Sequence, residues 1–279
     1  MESLVNAFYN LAKINKIDLS HKANFDPNDS RDIESIKYVS KNLTLKDMIR
    51  LSATNKKMRE IMTPLIEDKK RELEELRVWL SNLPRPRNYS TIEQLDQTER
   101  LYLYNNQLTS IPIINLPNLR DLNLWENNLI NFPNLSFLPN LQILNLSSNR
   151  LENIPKLNLP NLQQLFLDNN RLTEFPKLNL PELHYLTLYN NRLSERSKDP
   201  KLTLPKLKNL LLANNNLQRF PKLDLPNLEN LNLSNTGITE ISESDLINLP
   251  KLNALILRHN LITQNSKRFL KTLNMLVII

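Results

Sequence analysis

Leu162-Gln-Gln-Leu165-Phe-Leu167-Asp-Asn-Asn170-Arg-Leu172 sets a frame, Leu-x-x-Leu-x-Leu-x-x-Asn-x-Leu, that the chain repeats eight times. The asparagine of the frame falls at Asn106, Asn127, Asn149, Asn170, Asn191, Asn215 and Asn260, with Thr236 standing in once. The intervals are 21, 22, 21, 21, 24, 21 and 24 residues. A period this regular predicts a stacked solenoid whose units pack only on their neighbours, and it takes precedence over local propensity.

Each anchor of the frame has its own task. Leu165 and Leu167 point inward from a short parallel strand, because alternate strand residues face opposite sides. The asparagine turns the chain and offers donor and acceptor groups to backbone that is otherwise buried unpaired. Then comes Ile or Phe before proline, as in Ile154-Pro155 and Phe175-Pro176. Prolines five residues apart, such as Pro155 and Pro160, forbid a helix there, so the outer side is predicted to be mostly extended. Two places depart from this pattern. Extra residues around Ser197-Lys198-Asp199 predict a bulged loop, and Ser242 to Leu249 predicts a helical turn capped by Ser242. Leu273 to Ile278 restarts the phrase as a partial ninth repeat. Its open edge is expected to be covered by a missing natural tail, by Ser266 to Thr272, or by another molecule.

Residues 95 to 279 resemble the leucine-rich-repeat family on these anchors. The resemblance implies an α+β chain: a parallel concave sheet with a mostly extended convex side over residues 91–279, preceded by a helical domain over residues 1–90. The short proline-marked repeats also resemble proteins that bacteria deliver into host cells, which implies secretion into a host cytoplasm.

Upstream, Leu4, Phe8 and Leu11 share a helical stripe, and Asp18 to Ser30 reads as a loop. Thr44 with Asp47, and Thr63 with Pro64, each read as a helix start. Leu73, Leu76, Leu80 and Leu83 form a face expected to lie across the open end of the first repeat. Pro84-Arg85-Pro86-Arg87 then forms a stiff joint. Residues 43 to 59 resemble an F-box, the helical motif that docks on the adaptor subunit of modular ubiquitin ligases. Leu43, Asp47, Met48, Leu51, Asn55, Lys56 and Arg59 match it, whereas Asp32-Ile33 stands where that family has Leu-Pro. The same helices also read simply as a cap on the solenoid, and the two roles are compatible.

Composition narrows the function. The chain has 279 residues and a net charge of +7, which permits contact with acidic surfaces without demanding it. It has no cysteine, which excludes disulfides, thiolate metal sites and a cysteine nucleophile. Its one glycine leaves no phosphate cradle. The three histidines, His21, His184 and His259, follow no metal-ligand spacing, so no metal and no cofactor are expected. The first residues lack a continuous apolar run, which predicts neither signal peptide nor membrane span and points to a soluble protein of a reducing compartment. Bacterial leucine-rich-repeat ubiquitin ligases carry a further catalytic domain with a cysteine. This chain has no such cysteine, and no enzyme is expected.

The residues flanking the strand leucines are predicted to face the partner. In the first two repeats these are Arg100, Tyr102, Tyr104, Asp121, Asn123, Trp125 and Glu126. Asn145, Phe166, Asp168, Tyr185, Tyr189, Leu211 and Arg258 continue the surface. Tyrosine and tryptophan bury much area at small rotamer cost, and carboxylates beside them select a basic partner. The expected function is therefore a non-enzymatic binding module, a monomer in a heterocomplex, that blocks or redirects one protein partner. The alternative is an adaptor that presents a substrate to a ubiquitin ligase. Arg150, Arg171 and Arg192, with Lys156, Lys177, Lys201 and Lys222, recur once per repeat on the rim or outer side. Nucleic-acid binding through these rows is less favoured, because acidic residues lie on the aromatic face.

Overall fold

The computed structural model describes residues 36–37, 39–41, 43–53, 56–194 and 202–279. The expected helix near Leu4 to Leu11, the loop Asp18 to Ser30 and the bulge at Ser197 to Asp199 lie outside the described residues. The chain forms two compact units. One comprises residues 1–101, 112–120 and 134–141, and the other residues 102–111, 121–133 and 142–279.

Among the described residues, the first unit includes the helices α1 (Leu45–Ser52), α2 (Lys56–Ser81) and α3 (Ile92–Asp96). Thr44 caps α1 as its spacing predicts: its hydroxyl accepts the Asp47 N–H at 3.2 Å, while Leu45, Met48 and Leu51 turn inward. Thr63-Pro64, by contrast, starts nothing. Both residues sit inside the 26-residue α2. The stripe Met58, Met62, Ile66, Leu73, Leu76 and Leu80 is buried along the whole helix and holds it together across the proline. The Thr63 hydroxyl donates back to the Arg59 carbonyl at 2.7 Å, one turn below.

Where α2 meets the outer segment of the first repeat, polar groups are buried together. The Lys69 Nζ donates to the Asn115 carbonyl at 2.5 Å and lies 3.6 Å from Asp96. Asp96 in turn accepts the Leu45 N–H at 2.7 Å, and Glu72 accepts from the Asn115 amide at 3.1 Å. This junction joins α1, α2, α3 and residues 112–120 within the unit.

Nine three-residue strands form a parallel sheet in chain order: β1 (Arg100–Tyr102), β2 (Asp121–Asn123), β3 (Ile143–Asn145), β4 (Gln164–Phe166), β5 (Tyr185–Thr187), β6 (Asn209–Leu211), β7 (Asn230–Asn232), β8 (Ala254–Ile256) and β9 (Leu276–Ile278). The register aligns Leu122, Leu144, Leu165, Leu186, Leu210, Leu231 and Leu255, so the frame leucines stack in one file. The partial ninth repeat is one residue out of the expected frame: Val277 continues the file, and Leu276 pairs with Ala254 and is exposed. Among the described residues, the outer side is extended except for the turn α4 (Glu243–Leu246) and the helix α5 (Gln264–Leu270). The Asp245 carboxylate accepts the Ser242 N–H at 2.8 Å, the reciprocal half of the expected cap.

The frame asparagines form a buried ladder. The Asn170 amide donates to the Leu146 and Leu167 carbonyls, at 2.9 and 3.1 Å, and its carbonyl accepts the Leu151 N–H at 2.9 Å. Asn149 and Asn191 repeat the arrangement one unit earlier and one later. The residue before each ladder position has positive φ, from Asn105 (53°) through Asn169 (55°) to His259 (59°). That backbone disfavours most side chains but suits asparagine, which fills five of the eight positions.

Candidate functional site

The sheet face opposite the leucine file carries the predicted contact residues, and the structure gathers them into two clusters. In the first, the Tyr104 and Trp125 rings lie side by side, centroids 6.3 Å apart and tilted by 47°. The Tyr102 hydroxyl donates to Asp121 at 3.0 Å. Trp125 is 41% exposed, the most open aromatic ring among the exposed large apolar residues. Its position is set locally, because the Asn123 side-chain oxygen accepts the Trp125 N–H at 2.9 Å and fixes the turn. Glu126 beside it is exposed.

The second cluster lies on β4 and β5. The Phe166 and Tyr185 rings are 5.5 Å apart and tilted by 44°. The Asn169 amide donates to the Tyr189 hydroxyl at 3.3 Å, and the Asn190 amide donates to Asn169. Burial, then the nearby Asp168 carboxylate and Tyr189, raise the Tyr185 phenol above its ordinary value, so it remains a protonated donor. A phenol of this kind can hydrogen-bond a partner's carbonyl, while the ring beside it excludes water.

Some of the predicted contact residues are engaged within the protein. Asp168 does not stand free to select a basic partner. It is only 8% exposed, and the Thr187 hydroxyl of the neighbouring strand donates to it. Asn123 and Asn145 use their side-chain oxygens on backbone N–H groups two residues on, so they act as turn clips. Leu211 is half-buried, and Arg100 and Arg258 are exposed at separate places on the face. Sequence reading missed the row of positive-φ asparagines, Asn169 and Asn190 among them, that borders the aromatic clusters. Its signal was an asparagine immediately before the ladder position, repeated in most units.

On the helical unit, Leu43, Met48 and Leu51 are buried and hold helices together. Asp47 is committed to the α1 cap and lies 3.8 Å from Arg50. Lys56 and Arg59 are exposed, and Asn55 lies outside the described residues. Beside α1 a hollow of about 300 Å³ is lined by Leu45, Lys46, Ile49, Arg50, Glu93, Asp96 and Gln97, with Ile49 exposed at its edge. Among the described residues, no group of three histidine, aspartate or glutamate side chains is placed to hold a metal ion. No helix among them is long and apolar enough to cross a membrane.

The family described as Leucine Rich repeats (2 copies) matches residues 99–138, 139–180 and 160–197. Residues 99–197 thus match the leucine-rich-repeat family, and the sheet they build is a repeat solenoid. Among solved structures, a leucine-rich-repeat protein of Leptospira interrogans is 29% identical, with a TM-score of 0.54 over 69% of this chain and 57% of that one. The chain therefore spans little more than half of that protein's length. Internalin C2 of Listeria monocytogenes (24% identity, TM-score 0.56, 73% of this chain and 91% of that one) shares the fold. So does a Shigella effector leucine-rich-repeat domain (24% identity, TM-score 0.52, 66% and 82%). A comparison with curated proteins finds no match.

Proposed function

We propose that the chain is a non-enzymatic binding module whose sheet face grips one protein partner and blocks or redirects it. The observation that carries this reading is the exposed Trp125 ring beside Tyr104, on a face whose other aromatic rings are half-buried. A large ring left open to water on a rigid strand is an anchor waiting for a pocket, with its rotamer already restricted by its neighbour. Asp121 and Glu126 beside it favour a partner with basic groups at that end. The kinship of the repeats with a Leptospira protein supports a bacterial setting, in which such a module acts on a host protein.

The test is affinity capture with wild type beside Trp125→Ala, Tyr189→Ala and the double variant. Each single substitution is expected to weaken the captured partner by about 2 kcal/mol, roughly thirtyfold, with the thermal midpoint unchanged. Retention of full affinity in the double variant would remove the aromatic face from the reading.

A second reading rests on the hollow beside α1. Exposed Ile49, flanked by Lys46 and Arg50, offers an apolar contact with basic edges for a ubiquitin-ligase adaptor. Here the full-length chain should retain a purified adaptor subunit, and Ile49→Asp should abolish retention while Trp125→Ala leaves it intact. No retention by wild type leaves only the capping role for these helices.

A further inference from the structure

Arg150, Arg171 and Arg192 lie in consecutive repeats, each six residues beyond the strand leucines Leu144, Leu165 and Leu186 that the sheet holds in register. Their backbone N–H groups are fixed alike, donating to Leu129, Leu151 and Leu172 carbonyls at 2.9 Å. All three side chains are exposed, and none forms an ion pair among the described residues. Two steps of ~4.8 Å, the spacing of neighbouring strands, separate the outer members. Three like charges at that spacing repel one another, and the fold does not need them. The same position holds Gln107, Asn128, Asn216, Gly237 and Leu261 in the other repeats.

We propose that this arginine row is a second interaction surface, and that it receives an acidic α-helix of a protein partner. A helix lying along the stack places residues i, i+3 and i+7 at about 4.5 and 10.5 Å along its axis, within about 1 Å of the arginine spacing. An extended strand places same-face residues about 6.8 Å apart and falls out of register by the third charge. Each guanidinium can take a carboxylate with two parallel hydrogen bonds, which a lysine in the same place cannot do. The surroundings favour a narrow ligand over nucleic acid. Glu152 and Glu174, both exposed, follow the arginines within two or three residues and oppose the broad phosphate surface of a duplex, but leave a single line of contact open.

The experiment uses the full chain and three probes at low ionic strength. These are a helical peptide with glutamates at i, i+3 and i+7, a peptide of the same composition with those glutamates moved off one face, and a 20-base-pair DNA duplex. The in-register peptide is expected to bind at least fivefold more tightly than the shifted one, and more tightly than the duplex. Arg150→Glu/Arg171→Glu/Arg192→Glu should lower its affinity at least tenfold, as should raising the salt to several hundred millimolar. The corresponding Arg→Gln triple, which adds no new charge, should lower affinity in the same direction and guards against a folding defect in the reversed variant. The proposal is overturned by equal binding of the two peptides, by no binding of the in-register one, by tighter binding of DNA, or by undiminished affinity in the Arg→Gln triple.

Discussion

Asp96→Leu is expected to lower the stability of the helical unit by about 3–5 kcal/mol, because it leaves Lys69 buried without its counter-charge. Lys69 is 3% exposed and Asp96 1%, so water can rescue neither. Lys69→Met should cost a similar amount by stranding the carboxylate. The informative protein is the double variant. With both charges gone, what remains unpaired is the Leu45 N–H and the Asn115 carbonyl, at about 1–3 kcal/mol each. The double should therefore be milder than the sum of the singles by about 4 kcal/mol at the middle of these ranges. Burial holds Lys69 below the ordinary lysine range and Asp96 above the ordinary carboxylate range, in each case partly offset by the other's charge. The sign of the pH dependence follows. A raised Asp96 means that the folded state binds its proton more readily, so wild type should gain on the double variant as pH falls toward the ordinary aspartate value. A lowered Lys69 gives a gain as pH rises toward the ordinary lysine value. Urea unfolding of the four proteins, followed by Trp79 on α2 in a Trp125→Phe background, measures this. Strictly additive losses would show that the pair does not interact.

That junction was invisible to sequence reading, and the reason is physical. Lys69 and Asp96 share no periodic signal, and helix packing alone brings them together. The leucine file, in contrast, was legible to the residue from β2 to β8, because a stacked repeat converts a sequence period directly into a spatial one; at β9 the frame slips by one, and Val277 rather than Leu276 takes the place. Leu122, Leu144, Leu165 and Leu186 are all fully buried where the frame places them. Caps at Thr44 and Ser242 were legible because they need only three or four neighbouring residues. Pro64 was misread for the same reason: a local rule for helix starts met a stripe of buried side chains, Met58 to Leu80, that carries the helix through the proline. At the candidate site, strand alternation correctly placed Tyr104, Trp125, Phe166 and Tyr185 on one face. It could not show that Asp168 is covered, because the hydroxyl that covers it belongs to Thr187, on the next strand.

Asn170→Ala is expected to destabilise the solenoid by about 2–5 kcal/mol, and the figure follows from which groups lose their last partner. Around Asn170, the carbonyl just after each strand accepts two amides, one from its own repeat and one from the next. Leu146 takes Asn149 at 3.1 Å and Asn170 at 2.9 Å, and Leu167 takes Asn170 at 3.1 Å and Asn191 at 2.9 Å. These carbonyls keep one donor each after the substitution, a modest loss. The Leu151 N–H has Asn170 as its acceptor and becomes a buried orphan, the larger part of the cost. Thr236 shows what a smaller residue can preserve: its hydroxyl still donates to the Leu233 carbonyl at 2.7 Å, so Asn170→Thr should fall between wild type and the alanine variant. Asn170→Asp separates hydrogen bonding from volume. It matches asparagine in shape and keeps an acceptor for Leu151, but sets carboxylate oxygen against the Leu146 and Leu167 carbonyls. Repulsion and burial should raise the pKa of that carboxyl, so its penalty should be larger at neutral pH and shrink on acidification, as the folded state takes up the proton. The alanine variant should show no such trend. If the aspartate variant proved as stable as wild type at neutral pH, the ladder would be packing alone, and its hydrogen bonds would not be what holds the repeats in register.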